Sequence, residues 1–318
     1  MCKESSLSNI NNHSNRILAF QAIALFILSG CAQDPNLTGK IVASYSTYDG
    51  SDLLVYEHGR LQTLEVGGLS PRWLEDGKTV VCVGGKRELA FKFITYPENK
   101  VIDQISIPDL GIFYAFLPPE SKIVYSNGGS IKEGIPQNLH LYDRNMKTER
   151  QLTFYDKPRA YFDSVEVSPD GHWVVFAWGQ GYTEYGNGKS EWLSPDVYRL
   201  DLETGKIEKL FFGGRFDLSA DGKRLVYIAG GIGDAKFGTS DLVIYDFQTR
   251  QFTRLTNSKG MIFKHSPRFS PDGKWVAYIE EGAGPNNRSL VAVRADGSGK
   301  KITLIKPGYV LTSLDWGP

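Results

Sequence analysis

Along most of the chain apolar and polar residues alternate with a period of two. The stretches "NLHLYDRNMKTERQLTF" (residues 138–154), "DVYRLDLETGKIEKLFF" (196–212) and "DLVIYDFQTRQFTRLT" (241–256) each read as two alternating runs about a polar turn. Such alternation predicts half-buried strands, and Thr204-Gly205 or Asp296-Gly297 between runs predicts tight hairpins. A second unit precedes each hairpin: "VSPDGHWVVFA" from Val167, "LSADGKRLVYI" from Leu218 and "FSPDGKWVAYI" from Phe269 align without gaps. Their aspartates, Asp170, Asp221 and Asp272, are spaced by 51 residues each time. Two weaker copies extend the series. "LPPESKIVYS" places Pro119 at the aspartate position another 51 residues earlier, and "WLEDGKTVVCV" places Asp76 there 43 before that.

Each period therefore supplies four antiparallel strands, A to D, with the Ser-Pro-Asp-Gly segment as the A–B turn. Proline fixes one backbone dihedral there and glycine accepts a positive one. Four-stranded units repeating at about 40 to 50 residues are the signature of a β-propeller. The two ends of the chain carry half a unit each. "GKIVASY" from Gly39 is a B strand with no A strand before it, and "TSLDWGP" from Thr312 is an A strand with no B strand after it. Laid end to end, Pro318, Thr38 and Gly39 take the proline, aspartate and glycine positions. The fold expected for residues 38–318 is all-β: a six-bladed β-propeller of four-stranded antiparallel blades, closed by the C-terminal strand completing the first blade.

The repeat resembles that of the TolB-type, WD40-like propellers, whose hallmark is Ser-Pro-Asp-Gly-Lys followed by an apolar strand. That resemblance covers about residues 38–318 and implies the fold. It leaves activity open, because such propellers serve as binding proteins, as peptidase accessory domains and in a few lyases. The chain also departs from the family's namesake, which carries an α/β domain ahead of its propeller and is soluble in the periplasm. Here only residues 32–37 separate the first blade from the segment described next.

Residues 1–16 are mostly polar, and "ILAFQAIALFIL" (17–28) is apolar apart from Gln21. Twelve residues rise about 18 Å as a helix, short of the roughly 20 residues that span a bilayer. A charged start, a short apolar stretch and small residues read as a secretory signal. "LSGC", Leu28 to Cys31, resembles the lipobox of bacterial lipoproteins. By that resemblance residues 1–30 are a signal peptide, Cys31 is the lipid-attachment residue and residues 31–37 are a tether. Ala32, standing where an aspartate would retain a lipoprotein in the inner membrane of some Gram-negative bacteria, favours the outer membrane.

Charge changes the picture by exclusion. Lys plus Arg equals Asp plus Glu at 36 each, so no global field draws the chain to nucleic acid. Three cysteines are too few for a disulfide framework, and Cys82 occupies the position of Tyr227 and Tyr278 in sister repeats, that of a buried core thiol. The turn aspartates are expected to cap backbone amides rather than to act as acids. His58, His140, His172 and His265 fall in four different blades, and the first and third of these sit at turns on the face opposite His265. No metal site or cofactor is expected, and no hydrolase or Walker motif is present.

Function is expected where the loops are long. The A–B and C–D turns are short, whereas the B–C loops at residues 126–137, 178–195, 229–240 and 280–288 are extended. In the longest of them Tyr182, Glu184, Tyr185 and Trp192 mix aromatic and charged residues as binding hot spots do. Lys157, Arg159, Tyr161, Asp163, Lys264 and His265, in D–A connections, are expected to rim the same mouth. The expectation is a non-enzymatic lipoprotein of the bacterial cell envelope that binds a protein, peptide or glycan through the B–C/D–A face. The alternative is a lyase or peptidase-related propeller acting at the channel mouth.

Overall fold

In the computed structural model the described residues are 37–48, 50–85, 89–129, 135–157, 160–179, 182–184, 190–192, 195–229, 240–258, 262–284 and 287–318. They form six four-stranded antiparallel sheets, one per repeat, and a separate two-stranded ribbon. Blade 1 pairs Leu311–Gly317 (A) with Lys40–Thr47 (B), then Gly50–Glu57 (C) and Arg60–Leu64 (D). Blades 2 to 6 are continuous in the chain, with A strands Leu69–Trp73, Leu110–Leu117, Tyr161–Val167, Gly214–Leu218 and Phe263–Phe269. The ribbon, Tyr182–Glu184 with Ser190–Trp192, lies within the long B–C connection of blade 4.

Closure is as the split repeat predicts. Lys40 pairs with Gly317, Ile41 with Trp316 and Ala43 with Leu314. Thr38 O accepts the indole N–H of Trp316 at 2.8 Å, and the Ser44 hydroxyl meets those of Thr312 and Ser313 at 2.7 and 2.6 Å. Gly39 has φ +82°, in the same left-handed region as the A–B turn glycines Gly77, Gly171, Gly222 and Gly273. The turn chemistry is thus kept even where the turn is divided between the two chain ends.

Alternation along the B strands buries both faces against different neighbours, whereas the outermost D strands stay largely exposed. Ile41 and Ala43 pack with Trp275, Ala277 and Leu290 of blade 6, while Val42 packs with Val80 and Cys82 of blade 2. Six apolar clusters arise in this way, each joining two adjacent blades. Cys82 is fully buried and burial pushes its thiol up to about 12, so it is a core residue as its place in the repeat predicts. The turn aspartates behave as expected too. Asp76 accepts the amides of Lys78 and Thr79, and Asp170, Asp221 and Asp272 accept those of His172, Lys223 and Lys274.

Candidate functional site

All six A strands are innermost in their blades and all carry a register shift near the start of the strand, or, in blade 1, against its B strand. At three of these bulges a non-glycine residue, Ser70, Arg215 or Ser266, sits at φ between +46° and +51°. A bulge re-aims the side chains around it. Here the result is a cavity of about 360 Å³ at the B–C/D–A end of the axis, with a polar waist beneath it.

The waist comes from one repeat position, the residue before the aromatic or aliphatic residue at or next to the end of each A strand: Arg72, Ala115, Glu166, Asp217, Arg268 and Asp315. Arg72 donates to both oxygens of Glu166 at 3.1 and 2.5 Å and lies 3.6 Å from Asp315. Arg268 lies 3.3 Å from Glu166, 3.3 Å from Asp315 and 3.7 Å from Asp217, and donates to Leu314 O and Phe216 O. Two of the acids also stitch neighbouring blades: Asp315 accepts the Trp73 amide at 2.8 Å, and Asp217 accepts the Phe269 amide at 2.7 Å. Burial opposes the charge on Arg72, yet Glu166 and Asp315 overcome it and hold the guanidinium more firmly protonated than usual. With three carboxylates facing two guanidinium groups, Asp217 is the one left short. Burial, helped by Glu166 and only partly offset by Arg268, raises its pKa to about 7.

Above the waist a second polar chain runs along blades 4 to 6. Arg215 Nε lies 3.5 Å from Asp163, and its Nη1 donates to His265 Nδ1 at 3.0 Å. His265 Nε2 lies 3.0 Å from Glu281, off the axis of a hydrogen bond. Arg288 also reaches Glu281 at 3.0 Å, and donates to Leu311 O at 2.6 Å. Burial, then the charges of Arg215 and Arg288, lower the His265 pKa to about 4, so the imidazole is neutral at ordinary pH. Burial raises the Asp163 carboxyl despite Arg215. The opposite side of the cavity, from blades 1 to 3, is apolar and hydroxylic, with Leu69, Ile112, Phe113 and Leu314 beside Ser70 and Thr312.

Of the residues singled out from sequence, Asp163 and His265 line this cavity. Tyr161, half-buried and pushed up to about 12 by burial and Asp163, stands behind the rim. Lys157 is exposed and outside the lining. Lys264 points elsewhere: its ammonium is buried between blades, donating to Ser240 O at 2.9 Å and to Ser258 Oγ, and lying 3.5 Å from Asp241. Burial lowers its pKa against the pull of Asp241. Arg159, Tyr185 and Cys31 lie outside the described residues, and for Tyr182, Glu184 and Trp192 the description covers the strand backbone alone. Arg215, Arg288 and the waist were not read from the sequence. The waist had a signal there, since five of six equivalent positions carry a charge inside an otherwise apolar repeat. Among the described residues no group of three His, Cys, Asp or Glu side chains converges as a metal site would.

The arrangement defines a class: a six-bladed propeller whose axis is shut by ion pairs at the waist and open at one mouth. No family model matches the chain, and no curated protein does. Solved structures do. The TolB of Acinetobacter baumannii is similar at 20% identity and a TM-score of 0.68, over 96% of this chain and 71% of that one. A putative TolB from Agrobacterium tumefaciens is similar at 16% identity and a TM-score of 0.56, over 88% of this chain and 99% of that one. An oligogalacturonate lyase from Vibrio parahaemolyticus is similar at 11% identity and a TM-score of 0.51, over 84% and 73%. Identities this low establish a shared fold, and that fold hosts both TolB proteins and a lyase.

Proposed function

We propose that the chain is a lipid-anchored, non-enzymatic binding protein of the bacterial cell envelope that engages a protein, peptide or glycan through the B–C/D–A face. The observation that carries this reading is where apolar surface remains exposed. Among the described residues, four of the five exposed aromatics, Tyr48, Phe154, Phe212 and Phe263, lie at B–C or D–A connections, and Ile112 and Ile135 join them on that face. Single exposed apolar residues are ordinary, and Leu61, Val101, Ile102, Met146, Ile207 and Phe252 are exposed on D strands and a C–D turn, but the aromatics favour the face whose mouth carries the ion pairs, which suits recognition. Lipid attachment at Cys31 is supported by the lipobox. The test is site-specific photocrosslinking in cells, with the photoreactive residue at Ile112 or Phe154, and at Lys206 in a C–D turn as the control. Adducts confined to the first two positions support the reading, and adducts equal at all three overturn it.

A further inference from the structure

The two chain ends enter and leave the propeller on one particular face. Lys40 Nζ donates to Gly77 O at 3.0 Å, in the A–B turn of blade 2, and to Pro318 O at 2.7 Å. A Cβ on Gly39 would stand 2.9 Å from Pro271, in the A–B turn of blade 6. Thr38 and Gly39 therefore sit among the A–B turns, beside the innermost strands and opposite the mouth.

From Thr38 back to Cys31 there are seven residues, which span about 25 Å at full extension. To reach the mouth side, a chain leaving there must pass outward across three strand gaps of about 4.8 Å each and then climb strands whose length is about 20 Å. That path is about 35 Å before the channel radius is added. A lipid on Cys31 cannot reach the mouth side, so it holds the turn face to the membrane.

A headgroup layer is compatible with the chemistry of the turn face. Its aspartates are folded back onto their own turns, as Asp201 is onto Glu203 and Thr204 and Asp246 onto Gln248 and Thr249, in addition to the A–B turn aspartates. Exposed charges of both signs remain on these turns: Lys78, Lys223 and Lys274 with Glu75 in A–B turns, and Lys147, Lys206 and Arg250 with Glu98 and Glu203 in C–D turns. Ammonium and guanidinium groups suit a phosphate-bearing headgroup layer. The aromatics collect on the other face.

We infer that the A–B/C–D turn face lies against the phospholipid surface and that the mouth points away from it. This rests on the acylation of Cys31 proposed above. The test uses the full-length protein, extracted from membranes and reconstituted in phosphatidylethanolamine–phosphatidylglycerol vesicles bearing a headgroup nitroxide quencher. A fluorophore is placed at Lys223→Cys or at Phe154→Cys; Cys82 is buried and stays unlabelled. Quenching at least threefold stronger at position 223 than at 154 is expected. Equal quenching, or stronger quenching at 154 as from an aromatic face dipping into lipid, overturns the orientation while leaving the anchor intact. Recovery of the unmodified chain in the soluble fraction overturns acylation, and the orientation with it.

Discussion

The waist and the mouth are both belts of alternating charge on one axis, yet they are held differently. At the waist the side chains bond one another and also the backbone of the next blade, as Asp315 does with Trp73 and Asp217 with Phe269. At the mouth Asp163 takes the Arg215 backbone amide and Arg288 a carbonyl of the next blade, but the link through His265 and Glu281 runs from side chain to side chain. A charge tied to a neighbouring backbone cannot leave without loosening two blades. A charge tied only to another side chain can exchange that partner for a ligand. Proximity to the axis therefore does not by itself make a residue a recognition residue.

The largest expected effect falls on the waist. Arg268→Ala leaves Glu166, Asp217 and Asp315 facing one another, and removing one partner from a buried ion pair costs about 3 to 5 kcal/mol. Arg215→Ala at the mouth is expected to cost less, about 1 to 3 kcal/mol, because the buried Asp163 keeps the backbone amide of residue 215 as a partner and the guanidinium itself is partly exposed. Urea unfolding of both variants checks this, and equal losses would erase the distinction. Trp316→Ala, next to Asp315 in the closing strand, should cost about 3 to 5 kcal/mol through the cavity it leaves, and deletion of residues 311–318 should abolish soluble protein.

Next in size is pH dependence, where the belts have opposite slopes. Folded Asp217 keeps its proton to about pH 7, whereas the unfolded carboxyl loses it near 3.8. Folding takes up a proton in that window, so this group's contribution to stability falls as pH rises from about 4 to 7 and is flat above. Folded His265 takes a proton only near pH 4, whereas the unfolded imidazole does so near 6.5. Its contribution is therefore lost as pH falls from about 6.5 to 4. Relative to wild type, Asp217→Asn should gain most at pH 8, and His265→Gln should gain most at pH 4.5. Unfolding midpoints across pH 4 to 8 read both slopes, and parallel curves would mean that neither group titrates as its surroundings dictate.

The smallest effect sits below the waist. Glu120 has φ +65° at the repeat position that is glycine in sister blades. Burial and the nearby carboxylates of Glu75 and Asp76 raise its pKa, although it accepts the Glu75 amide. Asn tolerates the left-handed conformation and carries no charge. Glu120→Asn is expected to raise stability by about 0.5 to 1 kcal/mol in thermal or urea unfolding.

The fold was legible because its turns repeat in chemistry as well as in spacing. Proline, aspartate and glycine together mark the A–B turns of blades 4 and 6, aspartate and glycine those of blades 2 and 5, and even Gly39, cut off from its partners in the chain, keeps their conformation. The site was half legible. Loop placement pointed to Asp163 and His265, but Lys264, one residue away, turns between blades because successive strand residues face opposite sides. The waist escaped notice because its partners meet across the axis. Arg72 of blade 2 pairs with Glu166 of blade 4, 94 residues away, and no periodicity of a single strand announces such a pairing.

The chain-end clasp also decides how the molecule answers force. A pull on the residues before Thr38 acts along the axis of Lys40–Thr47, a strand hydrogen-bonded on both sides, to Leu311–Gly317 and to Gly50–Glu57. Its ladder bonds are then loaded together, in shear, rather than unzipped one after another as at the outer edge of a blade. A pull at this end is thus borne by a strand flanked on both sides, and it loads the ring in shear instead of peeling it open.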